Sequence, residues 1–166
     1  MPSTPHRPRP TTVLFVCLGN ICRSPLAEGV FLHLVEQEGL EEHFVVDSAG
    51  TGAWHVGERP DRRSVQVAEA HGVSLPGRAR QVTGADLARF DRVVAMDRDN
   101  LEALRRLASS GGGDAHIHLL REYDPSGDGD EVPDPYYGGA DGFEAVYQMI
   151  LRSCQRLLDE LRPGGA

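Results

Sequence analysis

Apolar residues recur along this chain at two spacings, and their alternation predicts an architecture. Thr12-Val-Leu-Phe-Val16 is a short, almost wholly apolar run of the kind that forms a strand buried on both faces. Ser24-Pro25 then reads as a helix start, with serine at the N-cap and proline at the first helical position. Leu26, Ala27, Val30, Phe31, Leu34 and Val35 follow at helical spacing, and Gly39 reads as the stop. Phe44-Val-Val46 predicts a second strand, followed by the turn-rich Asp47-Ser-Ala-Gly-Thr51. Helices are predicted from Arg62 to His71 and from Ala85 to Phe90, and Arg92-Val-Val-Ala-Met96 is a third strand. Leu101, Leu104 and Leu107 mark a further helix that Gly111-Gly-Gly113 closes, and His116 to Leu119 predicts a fourth strand. Asp124 to Gly139, rich in Gly, Pro and Asp, is a long loop, and long loops in compact domains often carry function. In the last helix Phe143, Val146, Tyr147, Ile150, Leu151, Cys154, Leu157, Leu158 and Leu161 form one stripe.

Strands alternating with helices predict an α/β domain of three layers, with a four-stranded, mainly parallel, twisted sheet flanked by helices. A chain of 166 residues fits one such domain. Residues 12–163 are expected to form it, and residues 1–11, with prolines at 2, 5, 8 and 10, to be a disordered tail. Binding sites in these sheets lie beyond the carboxyl ends of the strands, and Cys17 directly follows the first strand.

Composition narrows the function. A formal charge of −8 and a pI near 5.3 argue against a nucleic-acid partner. All 17 basic residues are arginine, so a Walker-type lysine and a Schiff-base amine are both absent. Three cysteines, at 17, 22 and 154, do not make a disulfide framework. The Pro-rich start does not read as a signal peptide, and the apolar runs are too short to span a bilayer. The expectation is a cytoplasmic protein with no membrane partner.

The decisive segment is Cys17-Leu-Gly-Asn-Ile-Cys-Arg23-Ser24, between the first strand and the first helix. With five residues between Cys17 and Arg23, the loop can curl so that its backbone N–H groups form an anion nest. The helix that follows adds its positive end, and Gly19 can supply the freedom a tight curl needs. Arg23 can grip two phosphate oxygens with its planar fork, and the same field favours the thiolate of Cys17. Ser24 can hydrogen-bond that sulfur and steady it as a leaving group.

This loop, in its context Val-Cys17-Leu-Gly-Asn-Ile-Cys-Arg-Ser-Pro25 with Ala27-Glu28 after it, resembles that of the low-molecular-weight protein tyrosine phosphatases. Asp47-Ser-Ala-Gly-Thr51, Trp54-His-Val-Gly57, Ala70-His71-Gly72, Met96-Asp97 and Asp134-Pro-Tyr-Tyr137 match that family in order, so the resemblance runs from about Thr12 to Leu161. It implies hydrolysis of aryl phosphate monoesters through a cysteinyl-phosphate. Cys17 is then the nucleophile, Arg23 the clamp, and Leu18, Gly19, Asn20, Ile21, Cys22 and Ser24 the rest of the phosphate loop. Asp134, before Pro135, is the general acid and later the base; no cofactor and no metal are implied.

Trp54, Tyr136 and Tyr137 are expected to wall the cleft, where an aromatic ring can stack. By the same resemblance Asn20, Ser48 and His71 hold the loop curled, and Asp97 supports the acid loop. Cys22 reads either as a partner for a reversible disulfide with Cys17 or as a packing residue; Cys154 lies on the apolar stripe. A branched residue at Ile21 is associated in this family with phosphotyrosine, a threonine with phosphoarginine. Implied partners are phosphotyrosine-containing proteins, with inorganic phosphate as product and inhibitor and the chain a monomer or weakly self-associating.

Rival readings are weaker. An arsenate reductase needs a cysteine relay downstream, and only Cys154 lies there. Asp124-Pro-Ser-Gly-Asp-Gly-Asp130 resembles the start of a calcium loop, but Pro135 stands where the bidentate glutamate belongs. Cys17 and Cys22 lack a second ligand pair for zinc. A phosphotyrosine-binding module without catalysis has no need of a thiolate and an acid together.

Overall fold

The computed structural model describes residues 9–109, 116–127, 129–136 and 139–163. Four strands, β1 (Thr11–Cys17), β2 (Phe44–Gly50), β3 (Arg92–Ala95) and β4 (His116–Leu119), form one sheet in the order β2-β1-β3-β4, parallel throughout. The helices are α1 (Arg23–Gln37), α2 (Arg62–Ala70), α3 (Gly84–Arg89), α4 (Arg98–Leu107) and α5 (Ala140–Leu161). The Gly111–Gly113 stop lies outside the described residues.

β1 is central, and its side chains alternate between two cores. Val13, Phe15 and Cys17 face α1, α2 and α5, where they join Phe31, Phe143, Ile150 and Leu157. Leu14 and Val16 face the other layer, with Leu87 and Phe90 at α3 and Leu101 and Leu104 of α4. Because both faces of β1 are covered, its sequence reads as a continuous apolar run rather than an alternating one. Among the described residues no helix is long and apolar enough to cross a membrane.

Two local expectations are corrected. Asp47 to Gly50 is strand rather than turn: these residues pair in register with Leu14 to Cys17, so ladder bonds along β1 override their turn propensity. Ser24 does not cap α1. The helix starts at Arg23 with Cys22 at the cap position and no side-chain cap there, because the Ser24 hydroxyl is engaged by Cys17 and Asn20. Pro25 remains tolerable, since the first four N–H groups of a helix have no partner within it.

The strand order reverses direction at β1, with β2 on one side and β3 on the other. Such a switch point opens a crevice at the carboxyl ends of the strands. Cys17 stands there, as the last residue of β1.

Candidate active site

The loop from Cys17 to Arg23 is held by its carbonyls. Those of Cys17 and Leu18 accept N–H groups of Thr51 and Gly52, each at 2.9 Å. The Ile21 carbonyl accepts from Asp61 N–H at 2.7 Å, and that of Cys22 from the Ser64 hydroxyl at 3.3 Å. A planar trans peptide sets each N–H opposite the preceding carbonyl, so the N–H groups of Leu18, Gly19, Cys22 and Arg23 point away from these partners. Gly50 permits the approach of β2 to the loop, since a Cβ there would lie 2.8 Å from the Leu18 carbonyl oxygen.

The curl turns at Asn20 rather than at Gly19. Asn20 has φ of 56°, the left-handed region, where asparagine is better tolerated than most side chains. Its side chain secures that conformation. Nδ2 donates to Ser24 Oγ at 2.8 Å and to Ser48 Oγ at 3.0 Å, while Oδ1 accepts the Arg80 N–H at 2.9 Å. Gly19 has a different part: a Cβ there would lie 3.0 Å from the His55 ring, so glycine lets that ring pack close to the loop.

Cys17 is 2% exposed. Its Sγ lies 3.0 Å from Ser24 Oγ and accepts the Asn20 N–H at 3.3 Å. Arg23, also 2% exposed, donates from Nη1 to Asp97 Oδ2 at 2.7 Å and to the Val132 carbonyl at 2.9 Å. Its Nη2 lies 3.6 Å from Asp134 Oδ2. Burial works against the guanidinium charge, but Cys17 and the Asp97 and Asp134 carboxylates outweigh it and raise the Arg23 pKa. Asp134 keeps 43% of its side chain exposed, and its Oδ1 accepts the Tyr136 N–H at 3.0 Å.

These groups converge on a cleft of 210 Å³ lined by Cys17, Leu18, Gly19, Ile21, Cys22, Arg23, Trp54, His55, Asp134 and Tyr136. Trp54, 73% exposed, stands on its rim. Tyr137 lies outside the described residues. Burial, reinforced by the charge of Asp61, pushes the Cys22 thiol up to about 12.

His71 is not among the groups that hold the loop. Its Nε2 pairs with Glu144 at 2.9 Å and its ring stacks on Tyr147 at 4.0 Å, because the turn after α2 packs on α5. Glu28 is in the network instead, a residue that matches the family segment in sequence but has no role assigned from it. It is only 7% exposed, and its Oε1 accepts the Ser48 hydroxyl at 2.6 Å. Burial raises its carboxyl to about 7 against the Ser48 hydrogen bond, with the Asp47 charge adding to the rise. The available signal was a carboxylate inside an apolar helical stripe, one turn after Ser24. His55, part of the Trp54-His-Val-Gly57 match but with no role assigned from sequence, also lines the cleft, with Nδ1 2.7 Å from Glu58.

The chain that carries this cleft has a match among known protein families. The model of the family described as low molecular weight phosphotyrosine protein phosphatase matches residues 12–164. The chain belongs to that family. It is a protein tyrosine phosphatase, a hydrolase of phosphoric monoesters. The phosphatase is 49% identical over 152 residues to a low molecular weight protein-tyrosine-phosphatase of Streptomyces coelicolor, covering 90% of this chain and 93% of that protein. The structure of YfkJ from Bacillus subtilis superposes with a TM-score of 0.88 at 42% identity, covering 95% of this phosphatase and 98% of that chain. A Drosophila protein described as an arginine phosphatase superposes with a TM-score of 0.86 at 38% identity, covering 92% and 98%.

Proposed function

We propose that this phosphatase hydrolyses phosphotyrosine in protein substrates through a cysteinyl-phosphate, with Cys17 as nucleophile, Arg23 as phosphate clamp and Asp134 as acid and base. The observation that carries the reading is the meeting of Cys17, Arg23 and Asp134 in one cleft, with Arg23 Nη2 3.6 Å from Asp134 Oδ2.

In the first step the Cys17 thiolate attacks phosphorus. The S–P bond forms, the P–O bond to the aryl group breaks, and the departing phenolate takes a proton from Asp134. The N–H groups of the loop and the Arg23 fork receive the equatorial phosphate oxygens, so charge builds where fixed donors already stand. In the second step water attacks phosphorus and gives its proton to Asp134, the S–P bond breaks, and inorganic phosphate leaves. Ser24, 3.0 Å from the sulfur, stabilises the thiolate as it departs. Arg23 and the backbone supply the positive charge, so the route asks for no metal.

Trp54, His55 and Tyr136 frame the entrance and suit an aromatic leaving group. Ile21 lines the cleft as a branched apolar residue and favours phosphotyrosine over phosphoarginine. The test is turnover of an aryl phosphate and of phosphotyrosine peptides in excess chelator, beside Cys17→Ser and Asp134→Asn. Turnover lost in Cys17→Ser, with a Cys17-linked phosphate trapped during turnover of Asp134→Asn, is the expected result. Unchanged turnover by folded Cys17→Ser refutes the route.

A further inference from the structure

The amino end of the sheet carries a second cleft, larger than the one at Cys17, with a volume of 530 Å³. It lies between the first residues of β3 and β4 and the last turns of α5. Arg92 opens β3 and stands in register between Val13 of β1 and His116 of β4. Val13 precedes Cys17 by four positions, so the two clefts are separated by roughly 13 Å along the strand direction.

The chemistry of this cleft is out of keeping with its place in the fold. Strand alternation puts Arg92, His116 and His118 on the sheet face of Val13, Phe15 and Val94, which is apolar elsewhere and covered by α1 and α5. Here it presents a guanidinium and two imidazoles with ring centroids 4.1 Å apart. Tyr123 and Arg156 complete the lining on the other side.

The charges do not cancel. Asp124 is paired by Arg121 and Arg152, while Glu122, 3.1 Å from His118, and Glu160, which accepts the Tyr123 hydroxyl, keep their negative charge, so four guanidiniums stand against three carboxylates. Arg92 and Arg156 make no ion pair among the described residues, and Arg92 Nε is buried without an acceptor. Among the described arginines without an ion pair, Arg92 stands out because this Nε is buried and has no acceptor. A buried guanidinium N–H is costly without an acceptor, and an oxyanion provides several.

We propose that this cleft is a second anion site, which takes a phosphate group between Arg92 and Arg156. The cavity has room beyond a bare phosphate, and the rings of His116, His118 and Tyr123 offer faces for the organic part of a small phosphate monoester. The site stands at the opposite end of the sheet from Cys17 and shares no lining residue with the catalytic cleft.

The test follows the histidine ring resonances by NMR, assigned with His116→Gln and His118→Gln. Inorganic phosphate, or phenylphosphonate as a stable ester mimic, is added at constant pH and ionic strength. The expected result is a saturable shift of His116 and His118, with a dissociation constant at least about tenfold higher in Arg92→Met/Arg156→Met. Circular dichroism and thermal unfolding establish that the double variant is folded; should it fail, Arg156→Met alone, solvent-facing on α5, carries the comparison. Tighter binding of phenylphosphonate assigns the site to an ester, and tighter binding of inorganic phosphate assigns it to the free ion. No saturable shift from either anion, or the same shift in a folded arginine variant, overturns the proposal.

Discussion

Asp97 joins two parts of the molecule through one carboxylate: Oδ2 accepts from Arg23 Nη1 at 2.7 Å, while Oδ1 accepts the Asn100 N–H at 2.8 Å. The second bond, with the Asn100 side chain returning to the Asp97 N–H, is the capping box of α4. The orientation of Arg23 is thereby tied to a helix end on the far side of β3.

Replacing Asp97 by alanine is expected to remove both functions. Loss of the cap costs about 1 kcal/mol, and a buried guanidinium short of one acceptor adds about 1–3 kcal/mol. Asp97→Asn keeps an acceptor for the Asn100 N–H but not the charge facing Arg23. Its unfolding midpoint in urea should fall between wild type and Asp97→Ala, with kcat/KM reduced in both. Equal stability of the two variants would show that the cap contributes nothing.

Glu28 makes the stability of the fold depend on pH. Its carboxyl is raised from an ordinary 4.5 to about 7, so between those values the folded chain binds a proton that the unfolded chain releases. The contribution is fully present below about 4.5 and is lost as pH rises through about 7. Glu28→Gln should flatten this part of the profile and gain on the order of 3 kcal/mol relative to wild type once Glu28 is ionised. Urea unfolding at about pH 5 and about pH 8 measures the difference; the same slope in both proteins would clear Glu28 of the effect.

Asn20 combines a left-handed backbone with three side-chain hydrogen bonds. Asn20→Ala should lose both, about 2–4 kcal/mol in all, and Asn20→Gly should recover the backbone share of about 1 kcal/mol. Both should lower kcat, because Ser24 and Ser48 lose the amide that links them. Full activity in Asn20→Ala would show that the loop keeps its shape unaided.

His71 tests how far the family pattern carries over to this chain. Its contacts are Glu144 and the Tyr147 ring, so His71→Ala should leave kcat/KM for an aryl phosphate within about twofold. The expected change is a loss of about 1 kcal/mol in stability. A large fall in kcat with stability unchanged would return His71 to the catalytic network.

Much of the fold was legible because spacing is a property of the chain. The apolar run at Val13–Val16 and the stripe from Phe143 to Leu161 could be satisfied only by a strand covered on both faces and a long helix packed on one. Where reading and structure part, a distant partner decides. Asp47 to Gly50 has turn composition, yet it pairs along β1, which no window around residue 47 contains. The Ser24 hydroxyl, a capping group by sequence, turns to Cys17 and Asn20 once the loop closes.

The site divides in the same way. Cys17 and Arg23 stand out in the sequence because their loop lies between an apolar strand and a Ser-Pro helix start, whereas Asp134, an aspartate before proline in a turn-rich loop, stands out only through the family resemblance. Glu28 and His55 are ordinary residues until packing places one under Ser48 and the other against Gly19. Nothing near His71 in sequence indicates that Glu144 would claim it.

By itself, then, the sequence determined the strand and helix order and the place of the Cys17–Arg23 loop after β1, because these depend on side-chain pattern over a few turns. Tertiary structure alone decided that β1 lies between β2 and β3, that Arg23 reaches Asp97 across 74 positions, and that Glu28 is buried beneath the loop. Those relationships arise when the sheet assembles and removes the groups from water, and both the distances and the acidity of Glu28 are set in that step.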